Sequence, residues 1–259
     1  MNSTTFKTYV ALDTIIRKEI IRFMRIWTQT LLPPAITMTL YFIIFGKLIG
    51  SQISKIDGYT YMQYIVPGLV MMSIITNSYS NTVTSFFGAK FSKSIEEMLV
   101  SSMPSYVILF GYVFGGALRG ILVGIIVVGI SLFFTQLHIQ HLGIVLAMGI
   151  LAALLFSLAG LLNGIFAKKF DDVSFIPTFV LTPLTYLGGV FYSLKQLPPV
   201  FQKISVFNPI FDIVDSFRFG MLGVSDVNVY LGFALVIGLF IILLIWCLYL
   251  LKHGVGLRS

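Results

Sequence analysis

Charge is what this chain has least of. Only 10% of its 259 residues are Asp, Glu, Lys or Arg, while 57% are hydrophobic and mean hydropathy is +0.96. Soluble domains carry about 25% charged residues, so a soluble globular protein is excluded and a polytopic membrane protein is implied. Apolar segments fill nearly the whole length and leave no room for a separate soluble domain, so residues 1–259 read as one membrane domain. Cysteine is reduced to Cys247, inside an apolar run, which rules out an intrachain disulfide and gives no sign of redox chemistry. Catalytic motifs are missing too. Gly46-Lys47 lacks both the upstream glycine spacing and the following hydroxyl residue of a phosphate-binding loop, so this chain is not expected to hydrolyse ATP. Neither G-x-S-x-G nor H-E-x-x-H occurs, which weakens an intramembrane hydrolase reading. His138 and His141 stand beside Gln136 and Gln140 in a short loop, which reads as an interfacial loop and not a metal site. No acidic residue falls inside a crossing, and no inverted repeat is detectable; both argue against a proton-driven carrier. The first 27 residues scatter Arg17, Lys18, Arg22 and Arg25 among apolar residues without a separate apolar core, so a cleaved leader is not expected.

What is present is a series of apolar runs. An all-α fold with six crossings is expected, at about 30–50, 60–86, 106–134, 143–167, 174–194 and 229–251. An even count puts both termini on one side. With the termini inside, the cytoplasmic segments hold eleven basic residues: Lys7, Arg17, Lys18, Arg22, Arg25, Lys90, Lys93, Lys168, Lys169, Lys252 and Arg258. The outer segments hold five, namely Lys47, Lys55, Lys195, Lys203 and Arg218, which supports cytoplasmic N and C termini. The +7 balance is accordingly a topology signal and not one for nucleic acid.

Three segments do not fit plain crossings. In residues 1–28, Tyr9, Leu12, Ile16, Ile20, Phe23 and Trp27 fall within an arc of about 80° at ~100° per residue, with Lys18, Arg22 and Arg25 opposite. Such a helix is expected to lie in the membrane interface or to pack on a partner. Residues 87–105 form a polar interruption in which Gly88 and Pro104 bracket a short amphipathic helix, Ala89–Met103, carrying Lys90, Lys93, Glu96 and Glu97 with Phe91, Ile95, Met98 and Leu99 at helical spacing. That is either a connector or a helix that docks in a groove of another protein. Residues 195–226 are apolar but broken by Pro198, Pro199 and Pro209 into pieces of roughly 10 residues, too short to cross. A full crossing followed by a broken half-entry suggests a lid over something that moves through the membrane, and hence a transport protein.

Ser73, Asn77, Asn81 and Ser85 recur at steps of four along the second crossing, as interhelical hydrogen-bonding groups or as the lining of a translocation path. Arg119 lies near the middle of the third crossing, with no acidic partner evident in any crossing; it is a functional candidate or a snorkelling cation. Gly116, Gly120 and Gly124, then Gly160 and Gly164, form small-residue ridges for helix packing. Asp171 and Asp172 read as structural, with Asp172 as a cap for the fifth crossing.

The stretch Leu181–Arg218 resembles the signature of ABC-2 type permeases, the membrane subunits of a class of ATP-binding-cassette exporters. Leu181, Leu184 and Leu187 supply its spaced aliphatics, Gly188 and Val190 its small positions, and Leu197-Pro198 its aliphatic–proline pair. Pro209 follows at the expected interval, then Ile210, and Arg218 closes the pattern; Asp212 departs from it. The segments YMQYIVPGL (61–69) and FFGAKFSKSIEEMLVSSMPSYVILFGY (86–112) are similar to the family's second crossing and to its cytoplasmic connection, and the basic N-terminal helix is similar to its interface helix. The resemblance implies a bacterial inner-membrane export permease acting as a homodimer above two ATPase subunits. ATP and Mg would be held by those partners and no cofactor by this chain. It assigns Lys93, Glu96, Glu97, Met98 and Leu99 to ATPase coupling, Arg17, Lys18, Arg22 and Arg25 to the interface helix, and Leu181, Gly188, Pro198, Pro209 and Arg218 to an outer gate. The expected cargo is an amphipathic or hydrophobic molecule, drug-like or lipid. The alternatives are a polysaccharide or lipid-linked glycan, for which 24 Phe, 12 Tyr and 2 Trp offer stacking surfaces, and an ATPase-independent channel or scaffold.

Overall fold

The computed structural model describes residues 3–50, 52–53, 55–101 and 103–256, excluding the side chains of residues 3–6 and 47. Arg258 and the Lys47 side chain therefore lie outside the described residues. The chain is helical almost throughout. It begins with α1 (Ser3–Arg25), α2 (Trp27–Thr30) and α3 (Leu32–Tyr41), the last widening without a break into a π-helical stretch, Phe42–Ile49. Then come α4 (Tyr61–Phe91), α5 (Ser94–Val100), α6 (Ser105–Ser131) and α7 (Leu142–Phe166). α8 (Phe170–Ile176), a π-helical turn at Pro177–Leu181 and α9 (Thr182–Tyr186) form one run, followed by a 3-10 turn at Leu194–Gln196, α10 (Pro199–Val206), α11 (Pro209–Leu222) and α12 (Val229–His253). Among the described residues, four helical segments are long and apolar enough to cross a bilayer: Trp27–Gly46, Ser105–Ser131, Leu142–Phe166 and Val229–His253.

The 31 residues of α4 make it the axis of the bundle, and most are buried between α6 and α7. A reciprocal cap starts it: the Gln63 amide donates to Thr60 Oγ1 and the Thr60 amide donates to Gln63 Oε1 at 3.0 Å. The glycine ridges explain the close packing. A Cβ at Gly120 would fall on the Ser78 hydroxyl and 2.8 Å from the Ile74 carbonyl, and one at Gly160 would lie 2.5 Å from the Tyr79 carbonyl. The outward surface is apolar instead of polar: Ile125, Leu146, Ile242 and Ile245 are each about half or more exposed along their helices. Small residues inside and large aliphatics outside are the arrangement that lipid, not water, rewards.

Several expectations change. The expected connector helix over 89–103 is shorter, because α4 runs through Gly88 to Phe91; Lys93 then takes a left-handed conformation (φ 61°) and α5 covers only Ser94–Val100. In the apolar run expected as a fifth crossing, 174–194, the helix is displaced toward the N-terminus. Helix starts at Phe170 and ends at Tyr186, about 25 Å of rise. It stops there because Gly189 turns with φ 68° and a Cβ at Gly188 would meet Ile210 at 2.8 Å. Pro177 removes one amide from this run and displaces the carbonyl of Val173, which Asn163 Nδ2 then approaches at 3.4 Å; the next turn opens to π geometry. Pro199 and Pro209, read as breaks, occupy the first positions of α10 and α11, where a missing amide costs nothing. Asp172 does serve α8, from its third position. It accepts the Lys168 and Lys169 amides at 2.8 and 3.0 Å.

The ridge reading carries a test. Gly120→Ala should lower thermal stability in detergent by about 1–3 kcal/mol through overpacking. Gly129→Ala, where nothing lies within 4 Å of the added carbon, should not be destabilised.

Candidate functional site

Two arginine networks grip α4, one toward each end. The first lies between α1, α4 and α6. Ile15 and Glu19 of α1 pack over Gly111 and Gly115 of α6, where added Cβ atoms would meet them at 2.4 and 2.5 Å. Those matched steps of four lay the C-terminal half of α1 lengthwise along α6. Glycine supplies the groove, and Glu19 supplies the reason to enter it. Fully buried, Glu19 accepts Ser85 Oγ at 2.6 Å and pairs with Arg22 Nη2 at 3.1 Å. Arg22 also donates to Asn81 Oδ1 at 2.8 Å and to the Asn81 carbonyl at 3.2 Å. From α6, Arg119 reaches Asn81 Oδ1 at 3.5 Å, Asn77 Oδ1 at 3.4 Å and the Thr30 carbonyl at 3.2 Å.

Arg119 is thus held by amide and backbone oxygens from two helices, α2 and α4, and no carboxylate pairs with it among the described residues. The polar line on α4 is interior. Asn81 and Ser85 face α1, Ser73 Oγ donates to the Leu69 carbonyl at 2.8 Å, and Asn77 Nδ2 donates to the Ser73 carbonyl at 2.9 Å. All four residues are buried within the chain. On α1 itself, Arg17 pairs with Asp13 at 2.7 Å, Lys18 lies 5.9 Å from the Tyr112 ring centre and Arg25 is exposed. The apolar arc is divided: Phe23 is buried, while Tyr9 and Trp27 are more than half exposed.

The second network centres on Arg218 of α11, 1% exposed. Its Nη2 donates to the Gly189 carbonyl at 2.5 Å and its Nε to the Tyr64 carbonyl at 3.4 Å; its Cζ sits 4.1 Å from the Tyr64 ring centre. Asp215, one turn earlier and equally buried, lies 3.7 Å from Arg218 Nη1. Its carboxylate accepts the amides of Asp226 and Val227, each at 3.1 Å, and Ser225 Oγ at 2.8 Å. Asp226 in turn accepts Ser193 Oγ at 2.7 Å and the Leu194 amide at 2.8 Å, with Lys195 Nζ at 3.5 Å. Among the signature residues, Leu181 is buried, Gly188 packs on Ile210 and Pro198 precedes α10 in extended backbone. The sequence pattern brought out Arg218 but passed over Glu19, Asp215 and Asp226. Glu19 and Asp215 each stand three residues before an arginine, an i,i+3 pairing signal that was available.

At the first network's end of the molecule, α5 is anchored by Ile95, buried beside Phe86, Val107 and Leu161. Lys90 Nζ donates to the Ile165 and Ala167 carbonyls at 2.6 and 2.8 Å, tying the end of α4 to that of α7. Lys93, Glu97 and Val100 face outward, with Glu96, Met98 and Leu99 half-buried. Val100 is 89% and the adjacent Phe91 67% exposed.

An all-helical chain with apolar spans, internal arginine networks and this signature matches the model of the ABC-2 type transporter family over residues 10–222, and the chain belongs to that family. It is similar to the inner membrane transport permease YadH of Escherichia coli K12, 57% identical over 251 residues, which cover 97% of this chain and 98% of that protein. Nodulation protein J of Rhizobium leguminosarum bv. viciae is 28% identical over 196 residues, 74% of each chain. Nodulation protein J of Rhizobium meliloti 1021 is 26% identical over 195 residues, 73% of each.

Removing the Arg218 side chain should leave Asp215 buried without its counter-charge. Arg218→Met is expected to cost about 3–5 kcal/mol, measured by unfolding in detergent, and to open residues 187–208 to protease. Unchanged stability and protection would contradict the anchoring role.

Proposed function

We propose that this chain is the permease subunit of an ATP-binding-cassette exporter of the bacterial inner membrane, working as a homodimer with two copies of a separate ATPase. The observation that carries the reading is the outward face of α5, presented by a chain of the ABC-2 type transporter family. A seven-residue helix anchored through Ile95 and offering Lys93, Glu97 and Val100 is a small, stiff lever. In this reading α4, with its polar line, and the Phe170–Tyr186 run join the four apolar segments as six crossings. Both termini are cytoplasmic, at the end where Lys90, Lys168, Lys169 and Lys252 gather. α10 and α11 form a re-entrant outer hairpin, with Gly188, Pro198, Pro209 and Arg218 at its joints.

ATP binding by the partner shifts the permease between two states only through a difference in affinity for them. The α5 lever supplies the contact through which that difference is transmitted to α4 and α6. The cargo favoured is an amphipathic or hydrophobic molecule, drug-like or lipid, leaving the cytoplasm or inner leaflet. A polysaccharide or lipid-linked glycan is the second cargo class.

Replacing Glu97 with Arg and Val100 with Asp should abolish co-purification of the ATPase and partner-driven export, while membrane insertion stays normal. Full transport by that double variant would overturn the coupling role and favour an ATPase-independent channel. Stimulation of the assembled complex's ATPase by amphiphiles against glycans separates the two cargo classes.

A further inference from the structure

We propose that Arg22, Arg119 and Asn81 form a binding site for the phosphate of a membrane amphiphile, where α1, α4 and α6 meet. Both guanidinium groups converge on one oxygen, Asn81 Oδ1, at 2.8 and 3.5 Å. Two cations that share a neutral acceptor repel each other, and apolar surroundings screen that repulsion poorly. Glu19 offsets only one of them, since its oxygens are taken by Arg22 and Ser85. The cluster therefore holds one uncompensated positive charge. Three donors inside it lack an acceptor: Arg22 Nε, Arg119 Nε and Asn81 Nδ2. Asn81 is fully buried, and turning its amide over would aim its NH2 at two arginines, so the orphaned donor is not relieved by a flip. Buried unmet donors of this kind are rare and costly. An anion with several acceptor oxygens answers all three, and the tetrahedral phosphate suits guanidinium forks arriving from different helices.

The surroundings select an amphiphile over a free anion. Arg22 keeps 31% of its side chain open, so the cluster is reachable from outside. The outer face of α1 and α2 beside it is apolar, with Ile21, Met24 and Trp27 exposed by 64, 45 and 53%. Asn81 lies ten residues before the end of α4, roughly 15 Å along the axis. A phosphate in the cluster would leave its attached chain against Ile21, Met24 and Trp27. This site does not depend on transport or on an ATPase, because a resident lipid and a cargo lipid present the same group.

The test uses the full-length chain in nanodiscs, with Trp246→Phe leaving Trp27 as the one tryptophan. Quenching of Trp27 by brominated phosphatidylglycerol is compared with that by brominated diacylglycerol, which carries no phosphate. Half-quenching should need about tenfold less of the anionic lipid, the scale of one charge-assisted contact. Asn81→Asp places a carboxylate beside both arginines, so it should keep the fold, checked by thermal unfolding, while erasing the lipid preference. Preference that persists in excess inorganic phosphate supports the amphiphile. Loss of preference to inorganic phosphate would overturn the lipid assignment in favour of the free anion. Equal quenching by both lipids in the native chain, or preference that survives Asn81→Asp, would overturn the site.

Discussion

Burial of α4 on nearly every side is the constraint from which the rest follows. A helix in that position must find protein partners for each polar group it carries, because neither water nor lipid supplies them. Ser73 and Asn77 bond back to their own helix, which satisfies them cheaply. Asn81 and Ser85 do not, and they draw in Arg22 and Glu19 of α1 and Arg119 of α6. At the opposite end, the Tyr64 carbonyl and ring receive Arg218. Each peripheral element is thereby registered against one axis by charge-assisted bonds, while glycine contacts set the distances.

The same logic accounts for the division of labour along the bundle. Hydrophobic burial gives little drive between helices in lipid, so specificity rests on small-residue contact and on polar bonds. One end gathers α1, α5 and the ends of α4, α7 and α12 around a compact cluster that includes Ile95, Tyr112 and Cys247. The other ties the turn at Gly189, the 3-10 turn at Leu194 and the segment before α12 through Arg218, Asp215 and Asp226. A force on α5 meets the buried axis almost at once, since only Ser92 and Lys93 separate it from α4.

Much of this was legible in the sequence because apolar runs and glycine spacing are local signals. The starts of α4, α6, α7 and α12 fall within one residue of those expected, and the small-residue ridges lie where α4 packs. The departures come from long-range contact. Gly88 looked like a stop, but the bonds of Lys90 to α7 carry the helix past it. The fifth apolar run looked like 174–194, but the fit of Gly188 against Ile210 fixed its end at Tyr186. Glu19 was hidden for another reason: at the border of the apolar arc of an amphipathic helix an acidic residue reads as solvated, and only the glycine groove of α6 reveals that it is buried. The line of Ser73, Asn77, Asn81 and Ser85 falls on α4, and the partners of Asn81 and Ser85 lie in other parts of the chain.

The two π-helical stretches, Phe42–Ile49 after α3 and Pro177–Leu181 between α8 and α9, hold one more residue per turn than their neighbours. Such a turn is a stored dislocation. When it migrates along a helix, the residues it passes advance by ~1.5 Å and rotate by ~100° without the rod ever parting. Phe191 lies against the first stretch and against α9, which follows the second, its ring 4.8 Å from that of Phe45 and 6.0 Å from that of Tyr186. A helix carrying such a dislocation can therefore change which face it shows to a neighbour in steps of fixed size, like a screw turned by one thread.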